Sequence, residues 1–288
     1  MTAPTISARD LAGRLDLKKY PRSWRGRCPC CSYDGAVFSV REKHGRPRLF
    51  CANGCDREHL DDAINRVLGG TWKPPPRPDA QDEAATRQRK QEAALRLWRG
   101  SEPAPGTLAA RYLTLRGIGF LATSAALRFR GDCHHPEGGR LAAMVALVTD
   151  VADEPLAVHR TYLAPNGSKA TVEPPKASLG PVWGGAVRLD PVASEIVIGE
   201  GIESSASAGQ LLDLPAWAAI SAGNLAQGLR PPPAVRSIVI AADPDPAGER
   251  AARDAALRWS REGRRVRIAR PDRDGCDFND LIQERAYA

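Results

Sequence analysis

The 288-residue chain has no apolar run long enough to cross a bilayer. Its longest uninterrupted one, Leu141 to Val148, is far short of the roughly 18 residues that a spanning helix needs. Arg9 and Asp10 interrupt the stretch where a signal peptide would be apolar. The expectation is therefore a cytoplasmic protein without a membrane partner. Aromatic residues are scarce, at 6%. No G-x4-G-K-[ST] phosphate loop occurs, so a fused ATP-driven helicase is not expected. No internal repeat is visible. The content of apolar residues, 42%, and of charged residues, 26%, is that of an ordinary globular protein of about two domains with room for a small extra module.

The net charge of +7 is unevenly spread. Residues 1–72 hold 13 Lys and Arg against 8 Asp and Glu, residues 73–193 hold 16 against 12, and residues 194–288 hold 12 against 14. A basic front suits a polyanion and an acidic back suits a divalent cation. An arginine-rich surface of no special purpose would have the same balance.

Seven cysteines, an odd number, argue for reduced thiols and a metal rather than disulfides. Cys28 and Cys31 form a C-x2-C pair and Cys51 and Cys55 a C-x3-C pair, separated by a stretch that reads as a β-hairpin. Short spacings of this kind let two sulfurs of one turn reach the same ion, and four such ligands make a closed, structural Zn²⁺ site. Cys30 is the alternative ligand to a neighbour, placed outside the four because C-x-C geometry is less usual. His44 and His59 are expected at the surface. Cys133 and Cys276 are expected to be unligated, and His134 and His135, being adjacent, lack the spacing of a metal pair. Around the cysteines, Arg25, Arg27, Arg41, Lys43, Arg46 and Arg48 alternate with Trp24, Tyr33 and Phe38, a composition suited to phosphate contact and base stacking.

Four prolines in "TWKPPPRPDA" mark a spacer. The boundaries that follow are a zinc-binding ribbon over 1–70, a Pro-rich linker and helix over 71–105, a basic helical and β segment over 106–193 and an α/β domain over 194–288. Within the third, "LAAMVALVTD" and "PLAVHRTYLAPNG" read as strands and residues 168–185 as loop. In the last, strands "EIVIGE", "AWAAIS", "SIVIAAD" and "RVRIA" alternate with helices, which predicts a mostly parallel, Rossmann-like sheet. The fold class is α/β, or α+β for the whole chain.

Glu200 follows the first of these strands and Asp243 the third, so both side chains emerge at carboxyl ends, where open α/β sheets bind ligands. Asp245 lies two residues beyond Asp243, while Asp277 and Asp280 in "DRDGCDFND" follow the fourth strand. Crowded carboxylates repel one another unless a cation neutralises them, which makes Mg²⁺ or Mn²⁺ the natural occupant. Taken singly, each aspartate could equally be a helix cap.

"GEGIES", "AADPDPAGERAA" and "CDFNDLI" resemble the three acidic motifs of the Toprim domain, shared by primases, topoisomerases and certain nucleases. Preceded by the cysteine module, they resemble a DnaG-like primase of phage or mobile-element type. The resemblance implies synthesis of RNA primers on a single-stranded DNA template from nucleoside triphosphates, with a separate replicative helicase as partner. It makes Glu200, Asp243 and Asp245 the catalytic set, and Asp243, Asp245, Asp277 and Asp280 the ligands of catalytic Mg²⁺ or Mn²⁺. The segment "VHRTYLAPNGSKATVEPPKASLG" resembles the basic region of primase cores, which implies that Arg160, Lys169 and Lys176 bind nucleotide or template. Ser204 stands where many primases carry an aspartate, so one ligand is missing or is supplied by Glu203. A Toprim-type nuclease and a non-catalytic single-strand-binding protein are the alternatives.

Overall fold

The structure is a computed structural model, described for residues 6–32, 36–43, 46–70, 72, 80–273 and 275–287. The expectations for Tyr33, for His44 and for the prolines of the 71–79 spacer lie outside these residues. The fold is mixed α/β, and the chain divides into two units: Met1–Glu83 with Pro136–Gly139, and Ala84–His135 with Arg140–Ala288.

In the first unit, helix α1 (Ala8–Arg14) begins at Ser7, whose hydroxyl accepts the Asp10 N–H and so satisfies one of the free donors of the first turn. A four-stranded antiparallel sheet follows, in the order β1 (Lys18–Lys19), β2 (Trp24–Gly26), β3 (Phe38–Lys43), β4 (Arg46–Cys51). β3 and β4 are the hairpin expected between the cysteine pairs, in register from Phe38 with Cys51 to Lys43 with Arg46. Helix α2 (Arg57–Val67), capped by Asp56, closes the unit. Leu11, Phe38, Val40 and Ile64 are fully buried in its core. Phe38 is thus a core residue, against the expectation that it stacks on bases, because its position in β3 faces α1 and the cysteines rather than water.

Helix α3 (Ala80–Arg99) leads into the second unit, which contains two sheets. The first is antiparallel, in sequential order β5 (Glu102–Pro103), β6 (Leu127–His134), β7 (Arg140–Thr149), β8 (Pro155–Leu163), β9 (Lys176–Leu179), with helix α4 (Leu108–Leu115) between β5 and β6. β7 and β8 are the two expected strands. β9 lies inside the stretch read as loop, because only four residues of that Pro- and Gly-rich segment pair, with Val158 to Thr161 of β8.

The second sheet runs β10 (Val187–Arg188), β12 (Ala216–Ala218), β11 (Glu195–Gly199), β13 (Ser237–Ala241), β14 (Arg265–Ala269). β10 is antiparallel to its neighbour and the other four strands are parallel. Helices α5 (Ile202–Leu212), α6 (Pro246–Arg261) and α7 (Phe278–Tyr287) complete it. The five-residue strands β11 and β13 read as continuous apolar runs because helices cover both faces. On one face Val197 and Val239 join Tyr112, Leu113, Met144 and Phe278 in a single core, while on the other Ile196 and Ile238 pack with Trp217 and Trp259. After β11 the chain moves outward to β12, then returns to the opposite side for β13. The carboxyl ends of β11 and β13 therefore flank a topological switch point, the place where such sheets leave a crevice.

Candidate active site and metal centre

Glu200 and Asp243 sit one and two residues beyond the paired positions Gly199 and Ala241, on adjacent parallel strands. Both are half-buried. Desolvation, then the charges of Asp243 and Asp245, push the Glu200 carboxyl up to about 8. Desolvation, followed by Asp277 and Asp245, raises that of Asp243 to about 6. Lys176 acts in the opposite direction on both, as do the Ala222 N–H on Glu200 and the Ser204 hydroxyl on Asp243.

The remaining acidic residues divide their oxygens. Asp245 is the N-cap of α6, its Oδ1 accepting the Ala247 and Gly248 N–H groups at 2.8 Å each. Asp277 and Asp280 cap one another at the start of α7: the Asp280 N–H donates to Asp277 Oδ1 at 2.8 Å and the Asp277 N–H to Asp280 Oδ2 at 3.0 Å. Asp277 Oδ2 accepts the Ser204 hydroxyl at 3.2 Å. The helix-cap reading thus holds for Asp245 and Asp277, each of which caps a helix with one oxygen. Ser204 is a neutral donor between Asp243 and Asp277.

Gly248 makes this arrangement possible. A Cβ there would lie 2.9 Å from both the Cβ and the carbonyl oxygen of Asp243, closer than real contacts allow. Gly248→Val is expected to push α6 away and cost about 1–3 kcal/mol of stability, read as a fall in denaturant midpoint together with lost divalent-cation affinity. A second feature had no signature in the sequence. Ile220 has φ 72°, a left-handed conformation that a β-branched residue adopts at a cost of about 1–3 kcal/mol. Its N–H donates to the Glu200 carbonyl at 2.8 Å, so the strained turn after β12 wraps the glutamate.

The basic residues separate into two groups. Lys176, at the start of β9, places Nζ 2.8 Å from Glu203 Oε2. Lys169 is lowered to about 8 by desolvation first and then by Lys176. Both act electrostatically on the buried Glu203. Arg160 instead spends its three nitrogens on the carbonyls of Ala177, His134 and Ser178, bracing β8 with β6 and β9. His159 beside it is buried, accepts or donates one hydrogen bond with Ser178 at 2.9 Å, and is held neutral, at about 3, chiefly by desolvation.

Among the described residues, Cys28, Cys31, Cys51 and Cys55 are the group of metal-ligating side chains gathered within 4.8 Å of one another. Two sulfur pairs, Cys28 with Cys55 and Cys31 with Cys51, are each 3.9 Å apart. Tetrahedral thiolates at about 2.3 Å from zinc would be ~3.8 Å apart, so the donor set fits Zn²⁺. Hydrogen bonding with Cys28, then with Cys31, holds the Cys51 and Cys55 thiols far above the ordinary range, protons that a bound cation would displace. The carboxylates do not form such a cluster among the described residues; Mg²⁺ needs none, being held by one or two carboxylates with water and substrate phosphates at its other positions.

The rim of the thiol module differs from expectation. Arg25 is buried and, with Arg41, pairs with Glu137 of the same unit at 3.0 and 3.2 Å. Neither is a free phosphate contact. On β4 the alternating residues Arg46, Arg48 and Phe50 share a face, and Phe50 is 63% exposed, an aromatic that no local pattern in the sequence marks out.

A pH dependence follows. Each carboxyl is raised on folding, so its contribution to stability is full below its unfolded value, 3.8 for Asp243 and 4.5 for Glu200, and is lost as pH rises through about 6 and about 8. Without divalent cations, the melting temperature of the second unit is expected to fall across this window. Mg²⁺ should restore it, most at the alkaline end, as followed by calorimetry.

Comparison with known families matches residues 88–189 to a domain of unknown function, DUF7146, and residues 195–288 to the Toprim domain. No curated protein matches the chain. Similar solved structures include the DnaG primase catalytic domain bound to single-stranded DNA, at 16% identity over 71% of this chain and 80% of that one, TM-score 0.47. Others are the zinc-binding and RNA polymerase domains of Aquifex aeolicus primase, at 13% over 97% and 80%, TM-score 0.46, and the primase fragment of the bacteriophage T7 primase-helicase, at 14% over 91% and 95%, TM-score 0.43. No helix among the described residues is long and apolar enough to cross a membrane. The C-terminal part of the chain, from residue 195, is a Toprim domain.

Proposed function

We propose that the protein is a DNA primase, joining nucleotides into short RNA primers on single-stranded DNA. The observation that carries this reading is the placement of Glu200 and Asp243 at the carboxyl ends of adjacent parallel strands, both with raised carboxyls, in a Toprim domain that follows a four-thiol module. Asp243, with the second oxygens of Asp245 and Asp277, would hold Mg²⁺ or Mn²⁺. An ion held there would supply charge neutralisation to the triphosphate of the incoming nucleotide and to the attacking hydroxyl. Glu200 either completes this ligand set or accepts the proton of the 3′-hydroxyl as its oxygen bonds to the α-phosphorus and pyrophosphate leaves. Lys169 and Lys176 supply positive charge to the phosphates, whereas Arg160 supports them by fixing β8 and β9. Zn²⁺ on Cys28, Cys31, Cys51 and Cys55 is structural, and the β4 face holds template.

The test is incubation with single-stranded circular DNA, Mg²⁺ or Mn²⁺ and labelled nucleoside triphosphates, followed by sizing of products. Short template-dependent oligonucleotides support the reading. Cleaved DNA without synthesis would instead assign the same carboxylates to a nuclease. For the template contact, Phe50→Ala is expected to weaken single-strand binding by about 5- to 150-fold, the worth of one stacked base, as measured by fluorescence anisotropy.

A further inference from the structure

Three residues after Glu200, in the first turn of α5, stands a second glutamate that is only 6% exposed. Glu203 Oε1 accepts the Tyr112 hydroxyl from α4, and Oε2 accepts Lys176 Nζ of β9 at 2.8 Å. Tyr112 is itself fully buried. Both oxygens of Glu203 are thus committed to partners on the antiparallel half of the unit. Its position at a helix N-terminus, facing Lys176 and Lys169, favours the ionised form despite burial. Lys176 in turn is the cation felt by Glu200 and by Asp243. An ammonium on a flexible stem next to these carboxylates would otherwise fold onto them and compete with a divalent ion.

We propose that Glu203 is not a metal ligand but a positioning residue that draws Lys176 away from Glu200 and Asp243, leaving these carboxylates open to a divalent cation. This inference rests on the metal-site reading above. Glu203 holds the ammonium within electrostatic reach of the cluster, where it can meet substrate phosphate, yet keeps it from neutralising the ligands. Tyr112 fixes the glutamate by binding its other oxygen, which prevents the carboxylate from turning toward the metal.

The experiment is Mn²⁺ binding, followed by electron paramagnetic resonance of the free ion, to the full chain and to Glu203→Gln, Lys176→Met and the double variant. Glu203→Gln is expected to weaken Mn²⁺ about tenfold, because the released ammonium moves onto the carboxylates. Lys176→Met should bind Mn²⁺ as well as the wild type or better, and the double variant should match Lys176→Met. Weakening by Glu203→Gln in both backgrounds would make Glu203 a ligand and overturn the inference. So would an unchanged affinity in Glu203→Gln. Failure of the wild type to bind Mn²⁺ would overturn the metal site itself, an outcome distinct from these two. Should Glu203→Gln fold poorly, as judged by circular dichroism, Tyr112→Phe removes only the orienting hydroxyl and is expected to weaken Mn²⁺ in the same direction by a smaller factor.

Discussion

Asp243→Asn is expected to reduce primer synthesis by about 10³-fold or more while leaving single-stranded DNA binding within about twofold of the wild type. The substitution keeps the shape of the side chain, so α6, which approaches within contact distance through Gly248, need not move. What it removes is one negative charge from a site that Asp245 and Asp277 share with it. Loss of a cation ligand removes both the neutralisation of the triphosphate and the activation of the hydroxyl, effects worth several kcal/mol together. DNA binding is expected to survive because Arg46, Arg48 and Phe50 of β4, the proposed template face, belong to the other unit. Parallel loss of binding would contradict this division of labour. Retention of activity would show that Asp243 serves only as a structural residue.

Cys51→Ser is expected to unfold the first unit and to abolish stoichiometric zinc. Its sulfur lies in the core with Cys28, Phe38 and Val40, and the hairpin register pairs Cys51 directly with Phe38. A unit of this size draws only about 3–5 kcal/mol from a hydrophobic core, while a structural zinc contributes apparent binding energy of about 10–16 kcal/mol at neutral pH. Removing one of four ligands therefore outweighs the packing that remains. Chelation of the wild type should give the same result, seen as loss of protease resistance within residues 6–70 and release of one zinc per chain. The second unit, with its own cores, should keep its secondary structure. A resistant, zinc-free first unit would show that the thiols are only buried.

Much of this was legible because certain residues have few physical alternatives. Two close cysteine pairs around a hairpin have little use other than a metal, and the structure brings their sulfurs together. Continuous apolar runs ending in Glu200 and Asp243 implied parallel strands with their carboxyl ends at a crevice. What the sequence concealed depends on partners distant along the chain. Arg25 and Arg41 read as phosphate contacts until Glu137, about a hundred positions away, takes them up. Arg160 read as a nucleotide contact, yet three backbone carbonyls from two other strands claim its guanidinium. Phe38 and Phe50 differ by no local pattern, only by which side of one hairpin meets the core. The strained turn at Ile220 and the Tyr112–Glu203–Lys176 chain likewise exist only once the sheets are assembled.

The most direct test of the central claim, that β11 and β13 contribute ligands to one cation site, is the number and affinity of Mn²⁺ ions bound by the wild type, Glu200→Gln and Asp243→Asn at about pH 8. The expected result is tight binding by the wild type that each single substitution weakens by about tenfold or more, with a further loss when the two are combined. Tight Mn²⁺ binding that survives both substitutions would contradict the account.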